Sequence, residues 1–479
     1  MKAGRALFFI VFVIFMLGMV SYLFPEDGIS FAERHFYFPS LEEIMVKDNG
    51  TDIPQRLKAM EAGLRMQDSL LMVYQDSLTF YMNFFRTHPS RIDCPDNDWE
   101  FLFPLFERLD SCRKKREVVR ILHYGDSQIE GDRITGYIRQ QLQEKFGGVG
   151  PGLIPAVQPI PSSAIGQTAS DNIGRYIIAG NFANQVSHNR YGVLGQMAQV
   201  NGNASISVVA RNWKNTFEHV KKFSRIRLYS GYTPGNFNAN LLPSDNVPLL
   251  QKSTQKKQTL NVTTWSMHEP VKKFTLNLSG AAEVYGIAVD GDYGVAVDNI
   301  PLRGSSGTFF TRIEKSVMKP MLDDLNVGLI ILEFGGNMMP SIKKEKNVSD
   351  YKAKIAQQIA YFKELCPESK ILLIGPADMS TKKGGKLQTY PLLETMVQGM
   401  REAALENGAA FWNMYEVMGG KNSMIGWVKT KPSLAAPDYI HFTPKGADRI
   451  AELFYESLMF YYNYYNFRKT HEQKIQQAN

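Results

Sequence analysis

The stretch Val118-Val119-Arg120-Ile121-Leu122-His123-Tyr124-Gly125-Asp126-Ser127 sets the fold class. Its first seven residues are a short, mostly apolar, β-branched run that stops at a glycine, and a helical pattern through Ile134, Ile138, Leu142 and Phe146 follows. That order is strand, tight turn, helix. The alternation returns late in the chain: strand Val327 to Phe334, helix Tyr351 to Leu365, strand Lys370 to Gly375, helix Leu392 to Glu406, strand Ala410 to Tyr415. A last long helix starts near Thr443 and runs through Ile450, Leu453, Phe454 and Leu458. Strands separated by helices form a parallel sheet covered on both faces, so a layered α/β fold is expected.

Between these halves, residues 155–285 do not alternate in this way. They are rich in Asn, Ser, Thr and Gly, with short β-like runs at Ile206–Val209, Ile226–Tyr229, Leu260–Val262 and Phe274–Leu278. Many short strands divided by turn residues predict a β-sandwich inserted into the α/β unit. Its aromatics Trp213, Tyr229, Tyr232 and Trp265 suit core packing better than a sugar platform, because such rings bury large apolar areas. Upstream, Leu57, Met60, Leu64, Leu70, Leu71, Tyr74, Leu78 and Tyr81 recur at spacings of three and four, which predicts an amphipathic helix serving as a membrane-proximal stalk or packing element. Trp99 to Leu109 is a second, shorter helix.

The amino terminus carries Lys2 and Arg5 and then Ala6 to Phe24, 19 residues without a charge. A helix of that length covers about 28 Å, near the thickness of a bilayer's hydrocarbon core. The run ends Met19-Val20-Ser21-Tyr22-Leu23-Phe24-Pro25, a poor cleavage site, so an uncleaved signal anchor is expected, with its positive flank cytoplasmic and the rest of the chain outside the inner membrane. The division expected is residues 1–25 as anchor, 26–115 as helical stalk, 116–155 and 289–468 as the two parts of the α/β domain, 156–288 as the insert, and 469–479 as a polar, fraying tail.

Composition narrows the function classes. Of 479 residues, 54 are Lys or Arg and 47 are Asp or Glu, a net +7 that is mild for this length. The basic runs, such as Arg113-Lys114-Lys115-Arg116 and Lys343-Lys344, are short and lack interleaved aromatics, so they read as solvated faces rather than a nucleic-acid groove. Three cysteines exclude a disulfide scaffold and a cysteine-rich zinc ribbon, and none has a His at metal spacing. Cys94 and Cys112 either pair or stay as free buried thiols.

Four short segments carry chemistry. Gly125-Asp126-Ser127 stands at the carboxyl end of the first strand, where an open parallel sheet places its ligands, and a serine on that turn exposes its hydroxyl beside a helix start. Asp438-Tyr439-Ile440-His441 lies just before the last helix. Its three-residue spacing lets a carboxylate hold the far nitrogen of an imidazole, and Thr443-Pro444 supplies the helix start that fixes the loop. Phe334-Gly335-Gly336-Asn337 ends another strand with an amide able to donate to an oxyanion, and Arg303-Gly304-Ser305-Ser306-Gly307 offers a second backbone N–H. Each segment alone would pass as an ordinary turn or cap.

Other candidates have plainer readings. His123 falls on the buried strand and reads as a satisfied core histidine. Glu130 and Asp132 follow the serine in the first helical turn, where carboxylates favour the helix dipole and a substrate contact at the cleft mouth is the second reading. Glu333 sits on its strand facing away from the site, and Asp290, Asp292 and Asp298 cluster in a segment that reads mainly as a turn.

Taken in order, the four segments resemble the SGNH, or GDSL, hydrolases: Gly125-Asp126-Ser127 is similar to block I, Gly304 to block II, Gly335-Gly336-Asn337 to block III, and Asp438 to His441 to block V. The resemblance covers about 118–155 and 295–465. It implies a flavodoxin-like three-layer α/β/α fold, with Ser127 as nucleophile, His441 as general base and then acid, and Asp438 orienting it. The oxyanion hole would be the N–H groups of Ser127 and Gly304 with the side chain of Asn337. The chain departs at Met338, where the family often has Asp, which touches the subfamily more than the chemistry. An SGNH domain interrupted by a β-sandwich resembles bacterial peptidoglycan O-acetylesterases, whose insert is similar to a carbohydrate-binding module. The resemblance therefore implies a serine esterase acting on an acylated glycan without a cofactor, and the N-terminal run adds the expectation of a membrane anchor and a periplasmic location. Related exported proteins imply one alternative, an O-acetyltransferase with the same triad working beside a membrane-bound acyltransferase; the other alternative is an inactive scaffold whose β insert binds glycan.

Overall fold

The computed structural model describes residues 74–478, except 181–183, 214–215, 244–248 and 256, together with isolated short pieces before residue 74. The uncharged run 6–24, and with it the expected anchor, lies outside the described residues apart from isolated positions. Among the described residues no helix is long and apolar enough to cross a membrane.

The main sheet holds β1 (Ile92–Asp93), β2 (Val118–Gly125), β3 (Gly294–Pro301), β4 (Val327–Glu333), β5 (Lys370–Ile374) and β6 (Ala410–Trp412), in spatial order β3-β2-β4-β5-β6-β1. The first five in that order run parallel, and β1 closes the edge antiparallel to β6. From β2 the chain first moves to β3 on one side and then crosses back to β4 on the other. The carboxyl ends of β2 and β4 therefore form a topological switch point, where doubly wound sheets bind ligands. All eight residues of β2 are buried, as a central strand covered on both faces requires.

Seven helices cover the sheet: α1 (Tyr74–Thr87), α2 (Phe103–Lys115), α3 (Thr135–Phe146), α4 (Lys315–Leu325), α5 (Glu345–Leu365), α6 (Leu393–Glu406) and α7 (Pro444–Ala478). Strand residues divide alternately between the two faces, as the period of two dictates. Ile121, Val297, Leu329 and Leu372 pack with Tyr81 of α1, Phe106 of α2, Ile138 of α3 and Phe454 of α7. Leu122, Ile300, Ile330 and Leu373 pack with Met318 of α4, Ile359 of α5 and Met400 of α6. The result is the three-layer α/β/α arrangement.

Several expectations change. Over 74–115 the segment expected to be a stalk is part of the α/β domain: α1 and α2 line one core, and β1 belongs to the main sheet. Rings such as Phe85 and Tyr461, with centroids 4.7 Å apart, join α1 to α7. The tail expected to fray continues α7 as far as Ala478, with no Gly or Pro after Gly446 to break it. The segment around Asp298 is not a turn but strand β3. The aspartate inside β3 hides its strand signal, and it is tolerated because Arg120 of β2 pairs with Asp298 at 2.5 Å and with Asp290, all three fully or almost fully buried. All three cysteines are free and buried, so Cys94 and Cys112 are unpaired.

The insert is a β-sandwich of two antiparallel sheets. One contains Lys257–Val271, Phe223–Thr233, Ala281–Asp290, Gln196–Asn201 and Gly174–Ile177, with Gly152–Ile154 beside Ala281–Asp290. The other contains Leu250–Thr254, Phe237–Leu242, Lys273–Ser279, Ala204–Ala210 and Ile165–Ala169. Because Gly152–Ile154 pairs within it, the insert begins before residue 156 and extends to Asp290. Phe223, Leu228, Leu241, Phe274 and Leu276 fill its interior. Tyr229 and Trp265 are buried as core residues, whereas Trp213 is 49% exposed beneath the Arg211 guanidinium.

The insert does not hang from a linker. Leu153, Met197, Tyr229 and Tyr285 share a core with Tyr124, Phe310 and Met321 of the α/β domain. The Tyr124 hydroxyl donates to the Val193 carbonyl at 2.7 Å, and Arg227 bonds both Asp290 and Asp324.

Candidate active site

Strand β2 delivers Ser127 two residues beyond its end, and the loop before α7 delivers His441 and Asp438 to the same place. The loop is held on several sides. Ala436 N–H donates to the His441 carbonyl at 2.8 Å, Thr443 N–H to the Leu434 carbonyl at 3.1 Å, and Ser380 N–H to the Tyr439 carbonyl at 3.0 Å. The Thr443 hydroxyl accepts from Gly446 N–H, capping α7 as its place before Pro444 suggests. Tyr439 takes a left-handed φ of 58°, a local strain that the surrounding bonds must hold.

The triad is assembled. Ser127 Oγ lies 2.9 Å from His441 Nε2, and His441 Nδ1 lies 2.7 Å from Asp438 Oδ2. Asp438 Oδ1 also accepts from the N–H groups of Ile440 and His441, at 2.9 and 3.0 Å. Burial opposes ionisation of Asp438, but the bonds from the His441 ring and from these two amides outweigh it and hold the carboxyl below its ordinary range. An ionised Asp438 accepts the Nδ1 proton, which leaves the Nε2 lone pair facing the serine hydroxyl.

The oxyanion donors are placed unequally. The N–H groups of Ser127 and Gly304 donate to no acceptor among the described residues, and Gly304 has a φ of +73° that suits glycine. Asn337 reaches the cleft, but its amide nitrogen donates to Asp126 Oδ2 at 2.7 Å and to the Ser305 carbonyl at 3.2 Å. Both of its N–H bonds are thus engaged, and an oxyanion would draw one away, most readily the longer bond to Ser305.

Three supporting residues were not visible as such in the sequence. Asp126 is buried, accepts from Gln128 N–H as well as Asn337, and has its carboxyl pushed up to about 6, first by burial and further by Glu333. Gln128 clamps the two halves together, donating to the Ile440 carbonyl at 2.8 Å and accepting from Phe442 N–H at 3.3 Å. The Arg133 guanidinium donates to the Ser127 carbonyl and to that of Glu130. Nothing in the sequence marks the bonds from Asp126 to Asn337 and from Gln128 to the histidine loop, because those partners lie more than 200 residues away.

The remaining candidates are structural or peripheral. His123 is fully buried, with Nε2 3.0 Å from Glu333 and Nδ1 3.0 Å from the Thr135 hydroxyl, a satisfied core histidine. Glu333 does not turn away as expected but meets His123 and lines the cleft floor. Asp132 pairs with Arg139 and accepts from Ser162, while Glu130 lies 3.7 Å from Arg303. Among the described residues no cluster of His, Cys, Asp and Glu could hold a metal ion. The cleft has a volume of about 180 Å³, with Phe334, Pro376, Ala377 and Ile440 as apolar walls around Ser127.

Comparison with solved structures places this architecture. A structure titled "Peptidoglycan O-acetylesterase in action, 5 min" superposes with a TM-score of 0.60 at 21% identity, covering 74% of this chain and 95% of the other. The chain resembles the SGNH hydrolases in fold. A psychrotrophic esterase, EstA from Pseudoalteromonas sp., overlaps over 35% of this chain and 79% of its own, at 14% identity and a TM-score of 0.26, which adds nothing to the first. No family model matches the sequence, and no curated protein does. The three-layer fold explains why the four segments, scattered from residue 125 to residue 441, converge: each lies at the carboxyl end of a strand or on the loop facing it.

Proposed function

We propose that the protein is an exported serine esterase that removes O-acyl groups, acetyl foremost, from a cell-envelope carbohydrate such as peptidoglycan. The observation that carries the reading is the continuous hydrogen-bond path from Ser127 Oγ through the His441 ring to Asp438. Ser127 Oγ attacks the ester carbonyl carbon while its proton passes to His441 Nε2. The resulting oxyanion takes hydrogen bonds from the free N–H groups of Ser127 and Gly304 and from Asn337 once its bond to Ser305 is released. Collapse expels the sugar alkoxide, which takes the proton from His441, and leaves the acyl group on Ser127. Water then gives a proton to His441, attacks the acyl carbon and frees the acid and the serine. The apolar cleft of about 180 Å³ suits a short acyl group.

Similarity in fold to a structure described as a peptidoglycan O-acetylesterase supports the glycan as substrate. The uncharged run from Ala6 to Phe24 supports an inner-membrane anchor with the catalytic part in the periplasm, and a membrane-bound acyltransferase as a neighbour belongs to the same proposal. Turnover of a chromogenic acetyl ester by the wild type and by Ser127→Ala tests the chemistry, and unchanged turnover in the variant overturns it. With acetylated glycan, free acetate marks an esterase. Transfer to a second glycan exceeding acetate release marks the acetyltransferase instead, and binding without either marks a scaffold.

A further inference from the structure

A second cavity, about 240 Å³, lies where the sandwich meets the α/β domain. One wall comes from the catalytic loops: Glu130 follows the serine turn, and Leu302 and Arg303 directly precede Gly304. The opposite wall comes from the insert, with Ile154, Ile165 and Ile177 among its apolar residues. It is smaller than the roughly 300–1,000 Å³ of drug-sized ligand sites, so it accommodates one unit of a longer substrate rather than an oligomer.

The charges lining this cavity do not cancel. Glu130 faces Arg303 at 3.7 Å, and Asp132 faces Arg139 at 2.9 Å. The fifth charged lining residue, Arg175, has no such partner. It stands on Gly174–Ile177, an edge strand of the sandwich, and its Nε donates to the Gln196 side-chain oxygen at 2.8 Å. Its terminal nitrogens donate to no acceptor, and no carboxylate lies within ion-pair distance, among the described residues. Burial alone acts on this guanidinium, lowering its pKa with no acidic neighbour to oppose the effect. A half-buried cation held in place by Gln196 through Nε and left with both terminal nitrogens free is arranged to receive an anion, and the fork of Arg matches a carboxylate best.

We infer that this cavity binds a carboxylate carried by the glycan, so that the enzyme deacylates a negatively charged saccharide whose acid group sits on Arg175 while its ester lies at Ser127. The inference rests on the esterase reading of the triad and adds the substrate's charge to it. Gln196 orients the guanidinium, the isoleucines exclude water from the pair, and the insert thereby acts as part of the substrate site.

The test uses soluble O-acetylated peptidoglycan fragments, native and with their carboxylates converted to methyl esters, assayed by acetate release on the full chain. The wild type is expected to show a KM about tenfold lower for the native than for the esterified fragments. Arg175→Gln is expected to bring that ratio close to one, and Arg175→Lys to restore part of it. Because two substrates are compared on one enzyme, a general loss of folding lowers both rates alike and leaves the ratio readable. Equal KM values for the two substrates in the wild type, or an unchanged ratio in Arg175→Gln, overturns the inference. Failure of the esterase reading appears separately, as acetate release that persists in Ser127→Ala.

Discussion

At the residue scale, the hydrogen bonds around Asp438 fix which nitrogen of His441 carries the proton. Asp438→Asn can donate where it must accept, which favours the wrong tautomer. The expected result is a fall in kcat of about 10⁴ on a small acetyl ester with little change in thermal stability, because the side chain at 438 is 46% exposed. Asn337→Ala should lower kcat by about 10²–10³ if its amide turns to the oxyanion, whereas a mainly structural role would show as a lower melting temperature with kcat nearly kept. Asp126 gives a pH signature. Its carboxyl is protonated up to about 6 in the fold but only to about 3.8 when unfolded, so the folded state binds the extra proton between those values. Stability relative to Asp126→Asn should therefore fall as pH rises from about 4 to 6, by up to about 3 kcal/mol, and level off above; chemical denaturation across that range reads it. The triad was legible because its members sit in short segments of recognisable order. The supporting roles of Asp126, Gln128 and Arg133 were not, since a glutamine after a serine means nothing until sheet closure brings the histidine loop to it.

At the element scale, the approach of α7 to its preceding loop places His441. A Cβ on Gly446 would run into the Leu434 carbonyl, whose oxygen also anchors Thr443 N–H. Gly446→Ala should shift the loop and lower kcat by about 10² without unfolding the protein, as circular dichroism alongside the esterase assay would show. Strand β3 illustrates where the sequence misleads. Asp298 and the neighbouring Asp290 look like turn residues, yet both face Arg120 inside the protein, and only the pairing makes a charged position compatible with a buried strand. Arg120→Met removes the cation and leaves two buried carboxylates. The expected cost is about 3–5 kcal/mol, read as a lower midpoint in urea, and a loss under about 1 kcal/mol would show that the network is not closed as described. The helix-rich late half was read almost completely because its apolar periodicity is regular, whereas α4, with Pro320 inside it, gave no such signal.

At the scale of the whole molecule, the sandwich, the three-layer domain and the segment from α1 to α2 share cores. The alternation of strand and helix was enough for the architecture, and the Asn- and Thr-rich middle was enough for a β insert. The place of residues 74–115 was not, because an amphipathic helix reports only that it has an apolar face and not which partner covers it. Shared cores predict one cooperative transition: unfolding followed at Trp265 in the sandwich and at Trp412 in β6 should coincide, and separated midpoints would show that the insert folds alone. The insert also brings Arg175 toward the catalytic loops, so its integrity and substrate binding should fail together. The central claim is that Ser127 carries the acyl group during turnover. Rapid quenching of the protein with an activated acetyl ester, followed by peptide mass spectrometry, tests it most directly. The account predicts one acetyl group on the peptide containing Ser127, absent from Ser127→Ala; turnover without that adduct, or an equal adduct in the variant, would contradict it.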